Sequence, residues 1–200
     1  FQDYTDKQIS TQQPDAAGQL RPLISNAGGA EVWGFELETT WLPEMIDVLT
    51  VQAAYTLLNA KYTQWEITTG SEYNVARAGQ CRVVPNPEGG ATDLCAINFV
   101  GNQLERSPEN AFVGQFNYTR SFGNTGMEWF VEGNTSFQDE RYLDPENTVT
   151  FDAYWLTDLR LGLVADNWDA LVFVDNVFAD DTIKTGGSGP DFGPQVRGLG

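Results

Sequence analysis

Ionisable side chains recur at even spacing in three segments of the chain: Glu36 with Glu38, Glu128 with Glu132, and Asp158 with Arg160. Paired carboxylates can work as acid and base on a glycosidic bond, but nothing in this spacing singles out two of them for that chemistry. The 200 residues hold no histidine. That removes Ser–His and Cys–His pairs, imidazole metal ligands and the usual base at neutral pH. The sequence therefore points away from an enzyme and offers no catalytic residue. At alternate positions the same carboxylates form one polar face, either a track that touches a solute or simply a hydrated interior surface.

A second group is mixed aromatic and cationic: Trp65, Tyr73, Arg77, Arg82 and Tyr142. Aromatic rings suit sugars and flat chelates, and guanidinium suits carboxylate or phosphate. These residues are candidates for ligand contact, with loop packing or lipopolysaccharide contact as the plainer alternative. Asp139, Glu140, Asp144 and Glu146 cluster nearby, but not with the spacing of a Ca²⁺ loop, so a solvated charge run is expected and no metal. Cys81 and Cys95 bracket a segment rich in Gly, Pro and Asn, which suggests a local disulfide in an oxidising compartment. The glycines from Gly186 onward follow no strand and open no helix, so they hold no phosphate and imply no nucleotide cofactor. With 28 acidic against 11 basic residues and a net charge of −17, nucleic acid is excluded as a partner.

The elements that carry these residues are strands. Leu49, Val51, Ala53, Tyr55 and Leu57 alternate with Thr50, Gln52, Ala54 and Thr56; Trp33, Phe35, Leu37, Thr39 and Trp41 alternate with Gly34, Glu36, Glu38 and Thr40. The same period returns around Phe112 to Tyr118, Met127 to Ser136 (where Phe130 breaks the polar parity) and Leu159 to Leu163. Residues Phe1 to Ser10 read as the rest of another strand. Trp168 to Phe178 is apolar on both parities, which leaves its facing open. The expectation is about seven strands and an all-β fold.

No window of about 18 apolar residues exists, which excludes a membrane-spanning helix but not a barrel, whose strands need only about 9–11 residues. Short connections (Pro43 to Asp47, Gly123 to Gly126, Ala165 to Asn167) alternate with long ones (Glu66 to Asn102, Leu143 to Val149, Asp181 onward). That puts tight turns on one rim and long loops on the other, as in outer-membrane barrels. Trp41, Phe122, Trp129 and Trp168 border the tight turns like an interfacial girdle, and Tyr62, Trp65, Tyr142, Tyr154 and Trp155 are expected at the opposite one. Two other readings remain: a secreted or surface β-sandwich that binds glycans, with Leu49, Val51, Tyr55 and Leu57 buried against a second sheet, and a small standalone porin-like barrel.

Four segments resemble one family. Asn26-Ala-Gly-Gly-Ala-Glu-Val-Trp-Gly-Phe-Glu-Leu-Glu38 is followed by the Leu42-Pro43 turn and a strand ending Tyr55-Thr-Leu-Leu-Asn-Ala-Lys-Tyr62. Gly101-Asn-Gln-Leu-Glu-Arg-Ser-Pro108 and Trp168 with Asp175-Asn-Val-Phe-Ala-Asp180 come later, in family order and spacing. Together they resemble the barrel of TonB-dependent receptors across essentially the whole chain. The resemblance implies an antiparallel transmembrane β-barrel of about 22 strands around a plug, importing a scarce ligand such as an iron–siderophore, cobalamin or a glycan. It implies outer-membrane lipid, lipopolysaccharide, the plug and the TonB–ExbB–ExbD system as partners, and extracellular long loops. On that reading residues 1–200 are the C-terminal part of the barrel, without plug or final strand.

Overall fold

The computed structural model describes residues 1–5, 8–14, 20–26, 28–46, 48–70, 81–85 and 94–186. All of its regular structure is β. Seven strands form one antiparallel meander: β1 (Gln2–Tyr4), β4 (Ala30–Trp41), β5 (Leu49–Tyr62), β9 (Asn110–Ser121), β10 (Glu128–Gln138), β13 (Tyr154–Val164) and β14 (Asp169–Val174). The strands left out of that order lie in its connections. A β2 (Gln8–Pro14) and β3 (Leu20–Asn26) hairpin joins β1 to β4. A small sheet of β6 (Glu66–Gly70), β7 (Cys81–Val84) and β8 (Leu94–Asn98) fills the β5–β9 connection. A β11 (Arg141–Tyr142) and β12 (Thr150–Phe151) pair fills the β10–β13 connection.

Two expectations are corrected here. Phe1 to Ser10 is not one strand: β1 ends at Tyr4, and Gln8 to Ser10 belong to a separate ladder with Ile24 to Asn26. The span from Glu66 to Asn102 is not irregular throughout, since Val83 and Ile67 both register against the middle strand β8.

Register turns the sequence alternation into two continuous faces. Phe35 opposes Leu57, Tyr55 opposes Phe112, Phe112 opposes Phe137, and Phe137 opposes Trp155. The other parity aligns Glu36 with Thr56, Gln52 with Gln115, Asn117 with Glu132, and Glu132 with Arg160. The ladder also settles β14: Val172 opposes Leu161 and Val174 opposes Leu159, so Ala170, Val172 and Val174 join the apolar face. Leu171 and Phe173 fall on the polar one.

Nothing covers the apolar face among the described residues. Trp33, Phe35, Leu37, Trp41, Phe116, Leu159, Leu161 and Val172 are all exposed, and elements in substantial contact are ladder neighbours rather than stacked sheets. Soluble monomers rarely expose an apolar surface of this extent. A second sheet over Leu49, Val51, Tyr55 and Leu57, which the sandwich reading needs, is absent from the described residues.

The parity break at Phe130 has a steric cause. Phe130 registers against Gly162, and a Cβ built on Gly162 would lie 2.2 Å from the Phe130 ring. Phe116 covers Gly133 on the opposite face in the same way, at 2.3 Å. An aromatic ring laid over a glycine in the neighbouring strand fills the gap that the missing side chain leaves. At Gly34 the obstacle is instead the Leu57 carbonyl oxygen, 2.4 Å from the position of a Cβ.

Backbone yields less readily than a ring, which orders two substitutions. Gly162→Ala is expected to cost about 1–3 kcal/mol as Phe130 rotates away, whereas Gly34→Ala, which must part the β4–β5 ladder, costs more. Thermal unfolding of the two variants in detergent checks the ranking, and equal midpoints would contradict it.

Candidate functional site

Two surfaces carry the chemistry of this chain: the polar face of the sheet, and the rim where the long connections fold.

On the polar face the six residues expected from the sequence share one side of the sheet. Glu36 and Glu38 are exposed, and Glu38 borders an open groove with Gln52 and Gln115, whose amides bridge across the β5–β9 ladder. Glu132 accepts a 2.8 Å hydrogen bond from the Asn117 amide and registers against Arg160. Glu128 sits at the tight-turn end, opposite Val164. Asp158 serves the fold, since it accepts the Asn176 backbone N–H at 2.8 Å and so secures the chain as it leaves β14. The remainder of that turn is held by Asn176 and Asp180, which exchange hydrogen bonds at 2.9 Å.

At the long-loop rim the connections fold inward over the polar side. Ala30, Ala60 and Tyr62, all of polar-face parity, are buried beneath Trp65, Cys95, Ile97, Phe99 and Leu104. Trp65 lies between Tyr62 and Phe99, with ring centroids 4.8 and 4.1 Å away. At 6% exposure it supports the loop and offers no open ring to a ligand, contrary to the expectation for it. The Tyr62 hydroxyl donates to Glu105, which anchors the Gly101–Pro108 segment over the end of β5.

The next connection interlocks with this one. Gln103 N–H donates to Asn147 Oδ1 at 2.8 Å, Asn147 Nδ2 returns to Gln103 O at 3.0 Å, and Asn102 Nδ2 donates to Pro145 O at 2.8 Å. Asp144 organises its own turn by accepting the Thr148 N–H at 2.8 Å and the Thr148 hydroxyl. Asn147 and Arg106 both adopt positive φ there, 55° and 60°. Leu143, Val149 and Phe151 form a small core beneath the turn. Asp139 holds Asn110 at 2.7 Å, so within the expected acidic cluster both Asp139 and Asp144 have internal duties.

Of the other candidate contacts, Arg82 is exposed and pairs with Glu66 at 3.1 Å, an ion pair open to solvent and therefore weak. Tyr142 is half-buried within β11. Tyr73 and Arg77 lie outside the described residues. Cys81 and Cys95 stand on adjacent strands with Cα atoms 5.3 Å apart, within the range a disulfide bridges.

The aromatic girdles are partly as expected. Trp41 and Trp129 sit on the apolar face at the tight-turn end, and Trp129 meets the Tyr118 ring at 5.2 Å. At the far end the Trp155 ring meets Phe137 at 4.8 Å and Phe112 at 6.1 Å. Tyr62 and Tyr154 belong to the opposite parity and Trp65 to the buried cluster, so the upper belt is Phe112, Phe137 and Trp155 rather than the expected five. Alternation seen from the sequence alone could have found this, because residue 155 shares parity with Leu159 and residue 154 does not.

Arg141 gave no sequence signal. It is buried, its guanidinium lies over the rings of Phe151 (5.1 Å) and Tyr154 (5.8 Å), and Nη2 donates to the Lys184 carbonyl. Lys184 reaches the Tyr154 ring at 5.1 Å and pairs with Asp180 at 3.0 Å.

The rim contacts yield two predictions. Asp144→Ala leaves the Thr148 donors unmatched and costs about 1–3 kcal/mol, so limited proteolysis should open the 143–149 turn first. The hydrogen bond from Lys184 holds the Asp180 carboxyl below its ordinary range. A depressed folded value gives stability that is present above the unfolded pKa of about 3.9 and lost as pH falls through the folded one. Exchange protection of the Trp155 and Thr182 amides, both bonded to Asp180, should hold from neutral pH to about 4 and decline below it. Protection lost near neutral pH would contradict this.

The chain matches the family described as TonB dependent receptor-like, beta-barrel over residues 1–177. The match spans every strand of the meander together with the rim connections between them. An antiparallel meander, an uncovered apolar face, aromatic belts and rim asymmetry are all features of an outer-membrane barrel wall. The chain belongs to the TonB-dependent receptor β-barrel family, whose members are receptors and transporters of the bacterial outer membrane.

Proposed function

We propose that this chain forms part of the wall of a barrel of about 22 strands around a plug, which imports a scarce ligand with energy from the TonB system. The observation that carries the reading is the uncovered apolar face with aromatic belts at both ends. From Trp129 to Phe137 the strand runs about 26 Å at ~3.3 Å per residue. A tilt of about 35–45° reduces that to roughly 20 Å, close to the apolar band of about 25 Å that such barrels present to lipid. Iron–siderophore, cobalamin and glycan remain the ligand classes. The long loops face outward on this reading, and the folded rim of Tyr62, Trp65, Phe99, Asn102 and Asn147 sets the height at which a ligand is met. Arg82 and Tyr142 are the described candidates for contact. Glu36, Glu38, Glu132 and Arg160 line the passage beside the plug.

We also infer that Cys81 and Cys95 are joined by a disulfide, in keeping with an oxidising envelope. Bridging a loop with a sequence separation of 14 stabilises by about 3 kcal/mol in the chain-entropy account.

The intact gene product should fractionate with outer membranes and migrate faster in detergent gels before heating than after. Loss of TonB should abolish uptake and leave surface binding intact. A soluble, monomeric product without detergent would sink the barrel reading, and uptake indifferent to TonB would sink the coupling. Cys95→Ser should lower the unfolding midpoint while the barrel still assembles, and thiol labelling of the unreduced wild type should find neither cysteine free.

A further inference from the structure

The rim contains a buried cation that forms no ion pair among the described residues. Arg141 is 8% exposed, and no ion pair joins it to Asp or Glu among the described residues. Its face is covered by Phe151 and Tyr154, and Nη2 is taken by the Lys184 carbonyl. Nη1 is buried and has no hydrogen-bond partner among the described residues. A guanidinium does not deprotonate to escape this situation, and a buried donor left unmatched costs about 1–3 kcal/mol, more when charged. In a chain of net charge −17, where a carboxylate partner could readily have been supplied, the gap at Nη1 is chemically specific.

Position adds to this. Tyr154 stands on the polar-face parity at the long-loop end of β13, and its hydroxyl donates to Gln138 on the same face of β10 at 2.7 Å. Arg141, stacked on that ring, therefore lies above the polar side of the sheet and away from the apolar face. A lipid headgroup held at the apolar belt would not meet it.

We propose that Arg141 binds an oxyanion at the mouth of the polar face, with a carboxylate or phosphate oxygen accepting from Nη1 while Phe151 and Tyr154 hold the guanidinium plane. Lys184 reaches the same Tyr154 ring, but its ammonium is neutralised by Asp180 at 3.0 Å, so Arg141 supplies the positive charge. The oxyanion can come from a solute or from a carboxylate side chain elsewhere in the intact receptor. Because Nη1 is buried, a solute reaches it only when the rim around Arg141 opens. That the solute is the imported ligand rests on the transport reading; the binding itself does not.

The test uses the intact receptor in detergent, with thermal unfolding followed against succinate and inorganic phosphate at constant ionic strength. A solute source predicts a saturable rise in the wild-type midpoint with either anion, about tenfold weaker in Arg141→Lys and lost in Arg141→Met. An internal carboxylate predicts no response to added anion, with a midpoint lowered by both variants and more by Met. The proposal is overturned if the wild type ignores both anions and Arg141→Met keeps or raises the midpoint, because replacing a truly unpaired buried charge by an apolar side chain of similar volume stabilises. If the Met variant does not assemble, Arg141→Lys decides alone: an anion response and midpoint equal to wild type overturn the proposal, and a reduction in either supports it. Uptake of radiolabelled ferric siderophore and cobalamin with and without TonB is measured separately, so failure of transport and failure of anion binding are distinguishable.

Discussion

The structure depends on one constraint: backbone amides in an apolar surrounding must find their partners within the sheet. Water is absent from hydrocarbon, and each unmatched N–H or C=O there costs several kcal/mol. The β4–β5, β9–β10 and β10–β13 ladders meet that demand with unbroken antiparallel register from Ala30–Tyr62 down to Trp41–Val51, and from Glu128 to Gln138 on both sides of β10. Once the register is continuous, the pleat dictates the rest. Every second residue faces one side, so a sequence needs only alternation to give one surface to lipid and the other to polar contacts. The same constraint explains why irregular structure collects at the ends. Left-handed residues such as Asn147, Asn176 and Ala179, and glycines such as Gly101, Gly123 and Gly126, all lie outside the long strands.

The rim follows a different rule, because there the chain can bury side chains in the ordinary way. Tyr62, Phe99, Ile97 and Cys95 are the largest fully buried side chains described, and all sit at or above the end of β5. Among the described residues the wall has no comparable core, since in a barrel the lipid outside and the contents inside take that place. The protein is thus stabilised by two separable means, hydrogen-bonded register along the wall and hydrophobic packing at the rim. Arg82 with Glu66 shows what is left for the solvent-facing edge: a single exposed ion pair, worth little.

Much of the wall was legible in the sequence because its signal has period two and repeats. Leu49 to Leu57 and Trp33 to Trp41 could be assigned to faces without coordinates, and register confirms both. The signal failed where side-chain identity stopped tracking the face. Phe130 is apolar on the polar side because Gly162 lies opposite, a cross-strand fact invisible in either strand alone. Leu171 and Phe173 blurred β14 similarly, and only pairing with β13 resolved it. Short strands inside the connections, β2, β3 and β6 to β8, carry no amphipathic run of useful length, so a loop reading was the natural one.

The rim was the least legible part, for a physical reason that also bears on what it does. Trp65, Asn102, Gln103 and Asn147 owe their roles to partners roughly 40 residues away in sequence, as the Gln103–Asn147 exchange with a separation of 44 shows. No local pattern encodes such a contact. Yet these long-range locks are what a receptor surface needs. A loop already held by reciprocal amide bonds and a buried aromatic cluster has lost its conformational freedom before any ligand arrives, so that entropy need not be lost again on binding. The exposed residues on such a loop then keep fixed spacing, and changes among them alter selectivity without loosening the support. Wall and rim therefore differ in kind: alternation gives the wall its two faces, and long-range locks hold the rim still.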